Sequence, residues 1–237
     1  MTNLKTLHFY TTPEHECSYL DGVQAKTLFV DPHEIIATDA YSQLSDLGFR
    51  RSGKHIYRPY CNHCQACISV RIPVREFHRS KSQQRIWNRN KDLLVTQVTP
   101  QYTNEYYQLY ASYIEARHAD GDMFPPSQSQ FSTFLVESQQ QGCFIEFRLP
   151  DNQLIGIAVI DDLLQGLSAI YTFFDPQHTR RSLGSYAILW QIQEVIRQDK
   201  DYLYLGYWVR DCQKMSYKTS FRPLEMLLQG EWLNVDV

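Results

Sequence analysis

Three cysteines at two-residue gaps, Cys61, Cys64 and Cys67, stand in the stretch YRPYCNHCQACISVRIPV at residues 57–74. Thiols so spaced can hold a metal, run redox chemistry or staple a fold. With three of the six cysteines crowded into seven residues, the staple is the weakest of these readings. The run is close to the iron–sulfur pattern C-x2-C-x2-C-x3-C-P, but Arg71 stands where the fourth cysteine belongs. A four-ligand site would draw its last ligand from elsewhere, Cys17 first, then His63 or His55. Zinc with three thiolates and one more ligand suits the same set. Nothing marks one of the three as a nucleophile over its neighbours. Cys143, at the head of an apolar strand, is expected to be simply buried.

The cysteines sit inside a basic segment. Residues 50–91 carry eleven Lys and Arg against one acid, Glu76, a net +10; the other twelve bases and twenty-five acids net −13. Such segregation within a chain of net charge −3 points to a polyanion partner, or to two oppositely charged parts that dock. Ser80 with Gln83 reads as a capping box for a helix through SQQRIWNRNKDL, on which Lys81, Arg85 and Arg89 recur at i, i+4, i+8. That stripe is a candidate contact to a phosphate backbone. A second anion site is expected where HTRRSLGS opens a helix, because Arg180 and Arg181 meet the unpaired N–H groups and positive dipole of its first turn.

The elements that must position these groups divide at Thr-Pro-Gln, 99–101. A first part, residues 1–98, bears the cysteines and reads as strands (KTLFVDP, GFRRSGKHIYRP, ISVRIPV) and the basic helix. The second, residues 99–237, opens with a Tyr-rich helix from Thr103 to about His118, broken by HADGDMFPPS, and a helix capped by Ser127 running through Val136. CFIEFRL, LIGIAVID and LSAIYTFFDP form an antiparallel meander, followed by an amphipathic helix, the strand YLYLGYWV, a short helix CQKMSYKTSF and a last strand LEMLLQGEW. This α/β order is that of an N-acetyltransferase-type (GNAT-like) acyltransferase. The loop that grips a coenzyme A pyrophosphate is poorly matched, with Gly184 alone present, so the phosphates of an RNA 3′ end are the natural replacement ligand. No apolar run follows the N-terminal lysine, and the longest one, 154–160, is far too short to span a bilayer, so a cytoplasmic protein is expected.

Five blocks together resemble a known family: CSYLDGVQAKTLFVDP, GFRRSGKHIYRPYCNHCQACISVRIPV, GLSAIYTFFDP, RSLGSYAILWQI and YLYLGYWVRDCQKMSYKTSFRPLE. They look like the bacterial aspartate/glutamate leucyltransferases, the short prokaryotic relatives of the arginyl-tRNA–protein transferases. The likeness runs from about Cys17 to Gly230. It implies a cysteine-bearing N-terminal domain and an acetyltransferase-like C-terminal one. It also implies a reaction in which an amino acid passes from a charged tRNA to the N-terminal Asp or Glu of a protein, marking it for N-end-rule degradation. The donor it implies is leucine, with arginine the alternative.

The chemistry so implied is undemanding. The ester on the 3′ ribose is already activated, so neither coenzyme A nor ATP is required. The nucleophile is an α-amine whose pKa of about 7.7–8.0 leaves a useful neutral fraction near pH 7. On this reading Asp175 holds or deprotonates that amine, while Tyr171, Tyr207 and Tyr217 line the pocket or donate to the developing oxyanion. Lys214 and Lys218, at i, i+4, should face one way. The acceptor's carboxylate needs a fixed cation, expected among Arg50, Arg51 and Lys218, with Arg222 in the same cationic block. Lys81, Arg85, Arg89, Arg180 and Arg181 would meet tRNA, and Cys17, Cys61, Cys64 and Cys67 a structural zinc or iron–sulfur cluster. Two other classes compete: a non-catalytic zinc-containing RNA-binding protein and a coenzyme-A acetyltransferase.

Overall fold

The computed structural model describes residues 4–236. Short strands open the chain: β1 (Phe9–Thr11), β2 (His15–Glu16), β3 (Gln24–Ala25) and β4 (Thr27–Val30). Helix α1 (Thr38–Asp46) follows, then the hairpin β5 (Arg50–Ser52) and β6 (His55–Pro59). Gly53 makes that turn at φ +58°, with its Cα so close to the Thr133 carbonyl that a Cβ would lie 2.2 Å from it. Strands β1, β4, β6 and β5 form a four-stranded sheet over α1, and β2 and β3 pair alone. Ala40, Tyr41 and Leu44 of α1 pack there with Val30, Phe49 and Ile56.

The chain then changes sheets earlier than expected. Strand β7 (Ile68–Pro73), helix α2 (Lys81–Arg89) and strand β8 (Leu94–Val98) all precede the Thr-Pro-Gln seam, yet both strands belong to the second, eight-stranded sheet. The remaining elements are α3 (Asn104–Arg117), α4 (Gln128–Phe131) with a π-turn over Ser132–Val136, β9 (Gly142–Arg148), β10 (Leu154–Leu163) and β11 (Gly166–Phe174). A 3-10 helix at Pro176–Arg181, α5 (Leu183–Arg197), β12 (Tyr202–Trp208), a 3-10 helix at Gln213–Ser220, β13 (Glu225–Leu228) and β14 (Glu231–Asn234) complete the chain. The large sheet runs β14-β13-β7-β12-β11-β10-β9-β8, antiparallel throughout except where β11 and β12 run parallel. The expected boundary after residue 98 is therefore not where the sheets part. They part between Pro59 and Ile68, because the alternating apolar face of β7 (Val70, Ile72) completes the core beneath α5.

Two cores sandwich the sheet. Leu183, Ala187, Leu189 and Ile192 of α5 cover one face, with Ile86 and Trp87 of α2 beside them. Tyr106, Tyr110 and Ile114 of α3 cover the other with Phe131 and Leu135. This is the α/β, acyltransferase-like order expected, with a separate small N-terminal sheet. The Ser80–Gln83 capping box is present in both directions, Ser127 caps its helix as expected, and Thr103 caps α3 as well. The last expected strand is instead the β13–β14 hairpin, turned through Gln229 and Gly230, both at positive φ.

Candidate active site

The site starts from a gap in the sheet. Strands β11 and β12 pair only at Gly166↔Tyr202, Leu167↔Leu203 and Ser168↔Tyr204. Beyond that, β11 runs on to Phe174 and β12 to Trp208, each without a partner on the facing side, so a wedge opens between them. Residues 169–172 of β11 are accordingly only half-buried, in contrast to the buried residues 166–168.

Aromatic side chains line the mouth. Tyr113 of α3 sits 4.9 Å from Phe174 and 6.3 Å from Tyr171, ring to ring, and His118, just past the end of α3, lies 5.3 Å from Tyr113. Tyr171 packs on Phe134 and its hydroxyl reaches Met123 Sδ at 3.5 Å. Tyr217 keeps 47 % of its surface exposed, yet its hydroxyl is desolvated and lies near Tyr113, which pushes it up to about 12. The His118 imidazole is held below its usual pKa, first by burial and then by Lys214, so it is neutral at pH 7. Asp175 follows β11 directly. One of its carboxylate oxygens accepts the Gln177 N–H at 2.8 Å, capping the 3-10 helix, and the other stands 3.6 Å from His178 Nε2.

On the other flank, a bulge in β12 between Tyr204 and Gly206 puts Gly206 at φ +78°. Lys218 reaches in here: it is 7 % exposed and donates to the Tyr207 carbonyl. Burial, then the charge of Arg50, lowers its pKa to about 7. Arg50 is itself buried, with its guanidinium 5.4 Å from the Tyr204 ring centroid and 6.0 Å from that of Tyr207.

The cysteines lie alongside. Cys17, Cys61, Cys64 and Cys67 line one depression of about 850 Å³ together with Arg58, Ser69 and Tyr207. Burial, then the neighbouring Cys17, Cys61, Cys64 and Cys212, push the Cys67 thiol up to about 12. Among the described residues no three His, Cys, Asp or Glu side chains converge as metal ligands.

Exposed cations lie on α2 and on the 3-10 helix that follows Asp175. Lys81, Arg85 and Arg89 lie along the outside of α2, and Arg89 donates to the Arg180 carbonyl, which joins the stripe to the start of α5. None of these four has an acid partner among the described residues, whereas Arg51, Lys54, Arg71 and Arg75 of the same basic segment are all ion-paired.

Sequence comparison decides the family. A model of the arginine-tRNA-protein transferase N terminus matches residues 15–85, and one of the C terminus matches residues 105–228. The chain belongs to the arginine-tRNA-protein transferase family. It is 55 % identical to an aspartate/glutamate leucyltransferase of Hahella chejuensis over 235 residues, 99 % of this chain and 100 % of that one. It is 52 % identical to one of Pseudomonas fluorescens (strain SBW25) over 236 residues, the full length of both.

Within this transferase fold the expected residues sort unequally. Asp175, Tyr171 and Tyr217 gather at the wedge. The Tyr207 hydroxyl is 2.8 Å from the Gly48 carbonyl and 3.3 Å from that of Tyr57, so its proton is committed and the ring is a wall, not an oxyanion donor. Arg51 is withdrawn altogether: its Nε and Nη2 grip Asp161 at 2.6 and 2.8 Å, both side chains buried, with the Tyr41 hydroxyl on the same carboxylate. Lys214 and Lys218 do not face one way. Their segment is a 3-10 helix of three residues per turn, so positions four apart diverge by about 120°. Lys218 turns inward, while Lys214 stays exposed and paired with Asp120 at 2.9 Å. Arg222 sits elsewhere, in a shallow depression with Glu76 and Asp236, the latter at 3.2 Å. Arg181 forks onto Asp92 at 2.9 and 2.7 Å and straps the 3-10 helix to α2, which leaves Arg180 as the free cation of that pair. Sequence reasoning passed over His118 and Cys212. For His118 the available signal was a histidine beside a helix end, in a segment read only as a break.

Proposed function

We propose that the protein moves leucine from Leu-tRNA to the N-terminal Asp or Glu of acceptor proteins. The full-length match to two aspartate/glutamate leucyltransferases carries this reading. The geometry supports it. The wedge gives an extended acceptor backbone unpaired strand edge on which to align, and the stripe of Lys81, Arg85 and Arg89 with Arg180 offers phosphates a route towards it. In this account Asp175 holds the α-ammonium, His118 or solvent takes its proton, and Tyr217 steadies the developing oxyanion. The amine nitrogen attacks the ester carbonyl, the C–O bond to the 3′ ribose breaks, and the ribose oxygen leaves with a proton.

Leucine is favoured over arginine as donor by the lining. An arginyl side chain needs a buried carboxylate. The buried acids Asp161, Glu146 and Glu194 are all taken, by Arg51, Arg148 and Arg197, whereas Met123, Phe134 and Tyr171 offer an apolar wall. We place the reaction in the cytoplasm, where charged tRNA is found; no helix among the described residues is long and apolar enough to cross a membrane. No cofactor enters the reaction, and Cys17, Cys61, Cys64 and Cys67 serve as a structural element, which as a metal site would show as zinc or an iron–sulfur chromophore in anaerobically purified protein.

Incubation with charged tRNA, and separately with acetyl-CoA, tests the class of reaction. Transfer from tRNA alone is the expected result. Transfer from acetyl-CoA would make the protein an acetyltransferase, and binding of tRNA without any transfer would reduce it to an RNA-binding module.

A further inference from the structure

We propose that Arg50 and Lys218 together form the seat for the side-chain carboxylate of the acceptor's first residue, and that the seat fills with uptake of one proton. The inference rests on the transfer reading above and adds what chooses the acceptor.

Arg50 is 5 % exposed, and only one of its nitrogens is occupied: Nη1 donates to the Ser45 and Phe49 carbonyls, at 3.2 and 2.7 Å. Nε and Nη2 are buried and have no partner. Leaving a buried cation half-satisfied is costly, and the two other buried arginines avoid it. Arg71 meets Glu225 and Asp46, and Arg51 meets Asp161. Arg51 does so with Nε and Nη2, the same edge of the guanidinium that stands open on Arg50. That edge matches two carboxylate oxygens.

Lys218 supplies the second cation. Its one hydrogen-bond partner is the Tyr207 carbonyl, and it has no ion-pair partner among the described residues. The groups that bear on it are Arg50 from β5, which opposes its charge, and Cys212 ahead of its own helix, which favours it. The Tyr217 ring lies 5.9 Å away. Two buried cations that bear on one another without an acid favour the discharge of one, and burial with the Arg50 charge brings Lys218 down to about 7. A carboxylate arriving between them reverses the balance. It pairs with the Arg50 edge and restores the proton on Lys218, taken from solvent, with no covalent bond made or broken. Phosphates have exposed, unpaired cations on α2; Arg50 is buried over the Tyr204 and Tyr207 rings, and its one open guanidinium edge suits a single carboxylate.

The sign of the pH effect follows. Below about pH 7 Lys218 is already charged and the carboxylate binds at full strength. Above it, binding must draw a proton, and the preference for acid falls by up to about tenfold per pH unit. Asn-Ala carries the same α-amine as Asp-Ala, so the ratio between them cancels the titration of the nucleophile.

The experiment measures kcat/KM for leucyl transfer to Asp-Ala and Asn-Ala from pH 6 to 9, with tRNA affinity and melting temperature recorded for each variant. At pH 6.5, Arg50→Lys and Lys218→Met should each cut the Asp-to-Asn preference by about 10- to 100-fold while tRNA affinity holds within about twofold. The wild-type preference should decline above pH 7, and Lys218→Arg, which cannot discharge, should flatten that decline. Calorimetry of Asp-Ala binding at pH 8, in two buffers of different ionisation enthalpy, should show uptake of about one proton. Folded variants that keep the Asp preference would overturn the inference, as would loss of tRNA affinity in step with activity, which would make the seat a phosphate site. Either result leaves leucyl transfer by the wild type intact; a wild type that transfers nothing would sink the parent reading instead.

Discussion

Arg50 and Arg51 are adjacent, identical in type and opposite in fate. A strand sends successive side chains to opposite faces, so β5 aims one at Asp161 of β10 and the other at the aromatic floor of the wedge. The sequence shows two arginines; only the partner, 110 residues away, tells them apart. Arg51→Met should therefore lower stability by about 3–5 kcal/mol in denaturant unfolding, by stranding Asp161, and the double variant Arg51→Met with Asp161→Leu should recover much of it. Arg50 variants should act mainly on acceptor choice. The tyrosines divide likewise. Tyr217→Phe should lower kcat by about tenfold or more. Tyr207→Phe should leave kcat near wild type while costing about 1 kcal/mol of stability, since its hydroxyl serves two backbone carbonyls. Similar effects in both would overturn the division. Cys67→Ser should likewise lower the melting temperature and leave leucyl transfer standing, because the half-buried thiol is protonated at neutral pH.

Helix α2 was legible because its signals are local: a capping box, then three cations at i, i+4 and i+8. The structure leaves Lys81, Arg85 and Arg89 outward and unpaired. Reversing Arg85 and Arg89 to Glu should weaken tRNA binding and flatten its salt dependence, each phosphate contact contributing about one unit of slope. An unaltered slope would make the stripe a solvated face. The segment 213–220 was less legible. Helix was expected, but the pitch of that helix decides where its lysines point, and three residues per turn rather than 3.6 separates Lys218 from Lys214. Helix α1 went unread, since TDAYSQLSD offers Ala, Tyr and Leu as its only apolar residues and starts at Ala37 without a side-chain cap. The single strand expected at LEMLLQGEW is a hairpin because Gln229 and Gly230 both take positive φ, which Gln rarely advertises.

At the scale of the molecule, α/β alternation and the late meander foretold the sheet and its two helical layers, because strand and helix periods are written locally. The wedge was not foretold. It depends on where pairing between β11 and β12 stops, and nothing in either strand marks Ser168 and Tyr204 as the last pair. The sheets part ahead of the expected seam for a related reason: β7 sits in the cysteine-bearing half of the sequence but pairs with β12 and β13. That pairing sets the cysteine depression against β7 and β12, through Ser69 and Tyr207. The most direct measurement is transfer of radiolabelled leucine from purified Leu-tRNA to Asp- and Glu-leading peptides, without ATP or coenzyme A, in parallel with Arg-tRNA. Label on both peptides from Leu-tRNA, and none from Arg-tRNA, is the predicted result; label from Arg-tRNA alone, or from neither, would contradict it.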